Sequence, residues 1–367
     1  MAERENFKSD GSGGRDDTIA FMRFKLLLLA AMLAAATFVR AETPPVGAGR
    51  TAFRKLIDRP RVEANVEEKE MAAPAGMVQT RVSLSTEADQ RMPAIFLKSA
   101  DIKTGIKLPV VIILHGTGGK KEGSLGLAKT LAAKGFLAIA PDARYHGERC
   151  AKGSGTDDYY AAIAQAFKDG KSHPWLYDTV YDVMRLIDYL QTRADVDPKR
   201  IGLIGFSKGG METYLASAAD ERIAVSIPCI GVQSFRYALE NELWKGRIGT
   251  VQGAANLAAK EAGVQAIDAA FVRRFYDRIL PGIYGEFDGP AMLPLIAPRP
   301  LLVINGDSDD KTPLPGVKLA ADAARAAYEK AGAADRFVLI VQDKTGHQVK
   351  PESTEEAVAW LEKWLAK

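Results

Sequence analysis

Six short, continuous apolar runs that alternate with stretches of helical periodicity constrain this chain more than any other feature. The runs cover 109–114, 136–140, 201–205, 223–228, 300–305 and 336–341. The helix-period stretches cover 123–134, 177–192, 208–219, 317–331 and 354–366, and in the last of these Val358, Leu361 and Leu365 recur at helical spacing. A strand that is apolar at every position has both faces buried, and a strand-helix rhythm buries them by laying helices over a parallel sheet. Two earlier runs, 78–85 and 92–98, alternate only in part. The expected architecture is α/β, a mostly parallel sheet of about eight strands with helices on both faces.

One interval breaks the rhythm. Between 231 and 298 there is no buried-strand run, only helical stretches at 236–245 and 264–279 and the segment Pro281-Gly-Ile-Tyr-Gly-Glu-Phe-Asp-Gly-Pro. A connection of this length in a compact domain is usually functional or a subdomain. It reads as a helical lid inserted before the seventh strand, or as helices packed on the side of the sheet.

The N-terminus reads as a targeting segment. From Met22 the chain runs Met-Arg-Phe-Lys, then an almost wholly apolar stretch at 26–39, then Val39-Arg40-Ala41 ahead of Glu42. A short basic stretch, a short apolar core and small residues at −3 and −1 describe a secretory signal peptide with cleavage near Ala41, and hence a secreted or periplasmic protein. An uncleaved N-terminal anchor is the alternative. The expected organisation is an upstream extension and leader at 1–41, a linker or surface wrap at 42–77, and an α/β domain at 78–367.

Basic and acidic residues nearly cancel, 49 against 46, so no positive field points to nucleic acid. Two cysteines, Cys150 and Cys229, and four scattered histidines support neither a disulfide scaffold nor a metal site. No cofactor is expected, and the oligomeric state is left open.

The strongest local signal is Gly205-Phe206-Ser207-Lys208-Gly209-Gly210, between an apolar run and a helical stretch. A nucleophile on a sharp strand-to-helix turn needs small residues two positions to either side, because neighbouring backbone comes too close for side chains. The turn would expose the Ser207 hydroxyl and aim the Lys208 amide and the helix N-terminus at a developing oxyanion. His115-Gly116-Thr117-Gly118-Gly119 ends the run at 109–114 and is the expected source of the second oxyanion donor, Thr117 first and Gly118 second. The spacing of this segment fits neither a Walker loop nor a dinucleotide fingerprint.

After the run at 300–305 comes Gly306-Asp307-Ser308-Asp309-Asp310-Lys311-Thr312-Pro313. Its spacing lets Asp309 turn back over the sheet, with Asp307 as runner-up. Of the four histidines only His347, after the last run, completes the chain order Ser, Asp, His. A further segment, Pro141-Asp-Ala-Arg-Tyr-His-Gly-Glu-Arg149, leaves a strand end. Strand-end loops line ligand crevices, so His115, Gly118, Tyr145 and His146 are candidate substrate-lining residues. A buried network among Asp142, Arg144, Glu148 and Arg149 is an equal alternative.

Taken together, the motifs His-Gly-Thr-Gly-Gly, Arg-Tyr-His-Gly-Glu-Arg, Gly-Phe-Ser-Lys-Gly-Gly-Met, Ile-Gly-Val-Gln-Ser-Phe-Arg, Ala-Pro-Arg-Pro-Leu-Leu-Val-Ile-Asn-Gly and Gly-His-Gln resemble the α/β-hydrolases related to dienelactone-hydrolase-like and prolyl-oligopeptidase-like esterases, acetyl esterases included. The resemblance runs from about residue 109 to the C-terminus and implies an α/β-hydrolase fold with a Ser207, Asp309, His347 triad. Two departures matter. True dienelactone hydrolases use a cysteine nucleophile, so that reaction is not expected. Lys208 stands where an apolar or smaller neighbour is common, and its charge would either favour acidic substrates or point to solvent.

The resulting expectation is hydrolysis of carboxylic esters through an acyl-enzyme, on a small-molecule or polysaccharide-linked ester, with no nucleic acid and no membrane partner after leader cleavage. A serine peptidase of the prolyl-oligopeptidase type and a non-catalytic binding protein on the same fold are the competing expectations.

Overall fold

The computed structural model describes residues 48–151 and 155–366. The leader and upstream extension expected at 1–41 lie outside the described residues. Among the described residues no helix is long and apolar enough to cross a membrane.

The chain builds one sheet of nine strands: β1 (Glu67–Met71), β2 (Met77–Glu87), β3 (Gln90–Ser99), β4 (Leu108–Leu114), β5 (Leu137–Pro141), β6 (Val196–Phe206), β7 (Ile223–Cys229), β8 (Leu301–Gly306) and β9 (Phe337–Gln342). Their order across the sheet is β1-β2-β3-β5-β4-β6-β7-β8-β9. The pairs from β1 to β5 through β2 and β3 are antiparallel, and those from β5 to β9 are parallel.

The continuous apolar runs have the cause the sequence suggests. Along β4, Val110, Ile112 and Leu114 enter the core on one face, while Val111 and Ile113 enter the core on the other. Along β8, Leu301 and Val303 alternate with Leu302 and Ile304 in the same way. One face is covered by α2 (Leu125–Ala133) and α12 (Pro351–Leu365), the latter through Val358, Leu361 and Leu365. The other is covered by α1 (Ala48–Ile57), α3 (Gly155–Asp169), α4 (Tyr177–Leu190), α5 (Lys208–Ala219) and α11 (Leu314–Lys330).

Outside the interval 231–298, three elements were not legible. The ninth strand, β1, reads Glu-Glu-Lys-Glu-Met and is exposed throughout, so it carries no hydrophobic pattern. It exists because its backbone pairs with β2 from Glu67↔Ser83 to Met71↔Gln79, and its charges suit an edge that must not recruit another strand. The stretch 42–77, expected as linker or wrap, also contains α1, which buries Phe53 and Ile57 in the core. The helix α3 lay in a stretch with no helical expectation.

The interval 231–298 is helical. It holds α6 (Phe235–Glu240), α7 (Trp244–Gly249), α8 (Gln252–Glu261), α9 (Ala269–Ile279) and α10 (Gly289–Met292). Phe271, Val272, Phe275, Tyr276 and Ile279 of α9 join the same core as α4 and α5.

Candidate active site

All the candidate residues sit beyond the carboxyl ends of the parallel strands, where loops of such a sheet form a crevice. Ser207 occupies the one position between β6 and α5 and is left-handed, with φ 56° and ψ −113°. That conformation costs about 1–3 kcal/mol for a residue with a side chain. It persists because the turn is pinned: the Ser207 amide donates to the Cys229 carbonyl at 2.9 Å, and Met211 donates to the Ser207 carbonyl at 3.0 Å. The flanking glycines are required by contact. A Cβ at Gly205 would overlap the Gly209 carbonyl, and one at Gly209 would overlap the Leu114 carbonyl.

His347 Nε2 lies 2.7 Å from Ser207 Oγ, and His347 Nδ1 lies 2.7 Å from Asp309 Oδ2. With the carboxylate as acceptor, Nδ1 carries the proton and Nε2 is left to accept from the serine. Asp309 is 3% exposed. Its Oδ1 accepts the Lys311 and Thr312 amides at 2.8 and 3.2 Å, and the Thr312 hydroxyl donates to Oδ2 at 2.6 Å. Burial alone would raise this carboxyl, but the bonds from His347 and Thr312 outweigh it and hold the pKa at about 2. Asp307, the runner-up, does a different job. Its carboxylate accepts the Lys344 and Thr345 amides at 2.9 and 3.0 Å, tying the loop after β8 to the loop that carries His347.

The glycine loop expected to supply an oxyanion donor is held by two histidines that trade places. His115, at the end of β4, accepts the Ala143 amide through Nε2 at 3.1 Å, and its Nδ1 faces the Gly116 carbonyl at 2.8 Å. His146, in the loop after β5, accepts the Gly118 amide through Nε2 at 3.1 Å, and its Nδ1 faces the Arg144 carbonyl at 2.7 Å. Both rings must be neutral to accept. Burial, then the Lys208 charge, pushes His115 down to about 4 and His146 down to about 2. Because Gly118 is committed to His146, the second-choice oxyanion donor is occupied. Among the described residues the Thr117 amide has no acceptor, and the Lys208 amide opens α5, where first-turn N–H groups lack intrahelical acceptors. Gly116 lies over Ser207: a Cβ there would stand 3.4 Å from Ser207 Cβ.

The loop 141–149 builds the charged network, with partners the sequence did not indicate. Asp142 is fully buried and accepts the Lys121 amide and Nζ, both at 2.8 Å, and the Glu148 amide at 3.0 Å. Arg144 and Arg149 converge on buried Asp182 of α4 at 2.9 and 2.7 Å. Of the four residues expected to line substrate, His115 and His146 are buried and spent on backbone. Gly118 is latched to His146, and Tyr145 is half-buried with φ 59°.

Lys208 departs from both expectations for its charge. It neither reaches solvent nor offers itself to an acidic substrate: it is 0% exposed and its Nζ pairs with Glu212 Oε1 at 2.5 Å, one turn along α5. Burial raises Glu212 to about 7 against the pull of Lys208 and of the neighbouring Thr179 hydroxyl. The i,i+4 spacing of Lys208 and Glu212 is visible in the sequence, but on a helix it suggests a surface pair.

A mostly parallel sheet with helices on both faces and a sharp serine turn from a central strand into a helix is the architecture of an α/β-hydrolase. Residues 96–273 match the family described as Dienelactone hydrolase family. YtaP of Bacillus subtilis (strain 168), a protein named as a hydrolase, is 28% identical over 331 residues, covering 85% of this chain and 97% of that protein. Among solved structures, an acetyl xylan esterase from Paenibacillus sp. R4 superposes with TM-score 0.63 at 17% identity, covering 89% of this chain and 96% of the other. A glucuronoyl esterase from Solibacter usitatus gives TM-score 0.57 at 16% identity, covering 85% and 91%. The chain thus has the α/β-hydrolase fold and carries a match to the Dienelactone hydrolase family over residues 96–273, and proteins similar to it are named as hydrolases and esterases.

Proposed function

We propose that this protein is an exported serine esterase that cleaves carboxylic esters through an acyl-enzyme, with Ser207 as nucleophile, His347 as general base and Asp309 as the group that orients the base. The observation that carries the reading is the unbroken chain of contacts from Ser207 Oγ through His347 to Asp309, 2.7 Å at each link. In the first step His347 Nε2 takes the hydroxyl proton as Ser207 Oγ attacks the ester carbonyl, and buried Asp309 stabilises the imidazolium. The Thr117 and Lys208 amides would hold the oxyanion, each worth about 3 kcal/mol in comparable sites. Collapse releases the alcohol, protonated by the same imidazolium. Water activated by His347 then attacks the acyl carbonyl and frees the acid and the serine.

The proposed substrates are acetyl or similar esters on carbohydrate. The reading takes support from the structural neighbours named acetyl xylan esterase and glucuronoyl esterase, and from the leader read at 22–41. The deciding experiment pairs labelling by an organofluorophosphonate with turnover of short p-nitrophenyl esters and acetylated sugars, for the wild type and Ser207→Ala. Labelling and turnover that both vanish in the variant are expected. Turnover of an aminoacyl nitroanilide without turnover of any ester would reassign the chain to a peptidase, and an unlabelled Ser207 would leave a binding protein.

A further inference from the structure

Thr312 stands three residues after Asp309, in the loop that leaves β8, and is fully buried. Its hydroxyl touches two acceptors, Asp309 Oδ2 at 2.6 Å and Asn305 Oδ1 at 2.8 Å. Asn305, near the end of β8, is also fully buried. Its amide orientation follows from its other contacts, because Nδ2 donates to the Gly306 and Thr312 carbonyls at 2.9 and 3.1 Å. Turning the group over would set an oxygen against two carbonyls, so Oδ1 must face Thr312. A hydroxyl carries a single hydrogen. At any instant one of the two acceptors holds it, and the other is left with a bare oxygen contact.

The two acceptors are unequal, and the inequality depends on the state of the base. Asp309 Oδ1 is occupied by the Lys311 and Thr312 amides, so both side-chain donors, Thr312 Oγ1 and His347 Nδ1, fall on Oδ2. With His347 neutral, a charge-assisted bond from Thr312 to the carboxylate is about twice as strong as one to an amide oxygen. The hydrogen then lies on Asp309. Once His347 has taken the Ser207 proton, the imidazolium draws on the same oxygen, and the two donors compete for its charge. Rotation about the Cβ–Oγ bond moves the Thr312 hydrogen to Asn305 without displacing a heavy atom.

We propose that Thr312 and Asn305 are positioning residues of the triad and act together as a hydroxyl switch: the Thr312 hydrogen holds Asp309 while His347 is neutral and passes to Asn305 when the imidazolium forms. The proposal rests on the serine-esterase reading and deepens it. The switch leaves Asp309 Oδ2 wholly to His347 in the charged state that catalysis passes through, and in that state it also satisfies the buried Asn305 oxygen. The bond from Thr312 is one of the causes that hold the Asp309 carboxyl low. The other charged groups around the carboxylate are the same in every variant below. They are buried Arg247 from α7, Asp307, Asp310 and Lys311 of its own loop, and Asp343 and Lys344 of the loop that carries His347.

The experiment is the pH profile of kcat/KM for p-nitrophenyl acetate, whose acid limb reports protonation of the base in the free enzyme. Thr312→Val keeps the branched shape and removes the hydrogen. It should move the midpoint of the acid limb to higher pH by about half a unit, because the carboxylate freed of Thr312 favours the imidazolium. Thr312→Ser should restore the wild-type midpoint. Asn305→Ala removes the second acceptor, keeps the hydrogen on Asp309 in both states, and should move the midpoint to lower pH. Thr312→Val combined with Asn305→Ala should match Thr312→Val, since Asn305 acts only through the hydroxyl. A side chain that merely supports the loop would lower kcat and leave the midpoint in place. If Asn305→Ala fails to fold by circular dichroism, Thr312→Val and its rescue by serine decide. A midpoint unmoved or lowered in folded Thr312→Val, or unmoved or raised in folded Asn305→Ala, overturns this proposal alone. No turnover of the ester by the wild type, with Ser207 unlabelled by fluorophosphonate, overturns the esterase reading and this proposal with it.

Discussion

His146 Nε2 accepts the Gly118 amide at 3.1 Å, so a histidine from the loop after β5 holds the glycine loop after β4. His115 makes the converse bond to Ala143 at 3.1 Å, and the two rings lie 5.1 Å apart. The pair fixes the conformation of the segment from which the Thr117 amide would reach the oxyanion, a task that needs placement to within a few tenths of an ångström.

Replacing His146 by Ala should therefore act on catalysis without touching the triad. The variant removes the acceptor that anchors the exposed Gly118 amide, so the glycine loop is no longer held in one conformation. A fall in kcat of about tenfold to a hundredfold is expected, with KM for a small ester changing much less. Steady-state kinetics on p-nitrophenyl acetate will decide, and an unchanged kcat would remove the latch from the mechanism.

The triad members should behave as a unit. Ser207→Ala or His347→Ala is expected to lower kcat by about 10⁴-fold or more, and the double variant to be scarcely worse than either single one. Additive losses would mean that the two side chains act in separate steps. Asp309→Asn should keep the fold and lose most of the rate.

Asp309 also makes a prediction for acid stability. Its folded pKa of about 2 lies below the unfolded value, so the carboxylate contributes stability that is fully present above about pH 4 and is lost as pH falls through about 2. The contribution is on the order of 2 kcal/mol. Urea unfolding of the wild type and Asp309→Asn between pH 6 and pH 2 should show the two stabilities converging at the acid end. A constant gap across that range would place the depression elsewhere.

The buried pair of Lys208 and Glu212 should be worth less than either half alone suggests. Lys208→Met leaves Glu212 buried without its cation and is expected to cost about 3–5 kcal/mol. Lys208→Met combined with Glu212→Leu removes both charges and should recover most of that loss, because burying the pair already costs much of what their attraction returns. Thermal unfolding of the two single variants and the double variant forms the necessary cycle.

The three residues that the structure brings into contact, Ser207, His347 and Asp309, were legible because each is bound to a local pattern. Ser207 needs glycines at 205 and 209 in any strand-to-helix turn of this geometry, and His347 occupies the one histidine slot after the last strand. Asp309 was distinguishable from Asp307 by loop spacing alone, and their contacts differ as that spacing implies: one carboxylate faces His347, the other ties two loops together. The roles of His115, His146 and Lys208 were not legible. Each depends on what another loop or helix turn brings beside it, and residue type does not say whether an imidazole faces substrate or a backbone amide.

By itself the sequence determined the layers of the fold and pointed to the three side chains that meet at the strand ends, because continuous apolar runs demand a sheet buried on both faces and the turn at Ser207 tolerates only glycine at its contacts. The edge strand β1, the exchange of histidines between loops and the inward turn of Lys208 were decided only by tertiary structure. The physical reason is the same in each case. Periodicity and steric exclusion act between neighbours in the chain, whereas the partner of a backbone edge or a buried charge is chosen by elements brought together across the sheet.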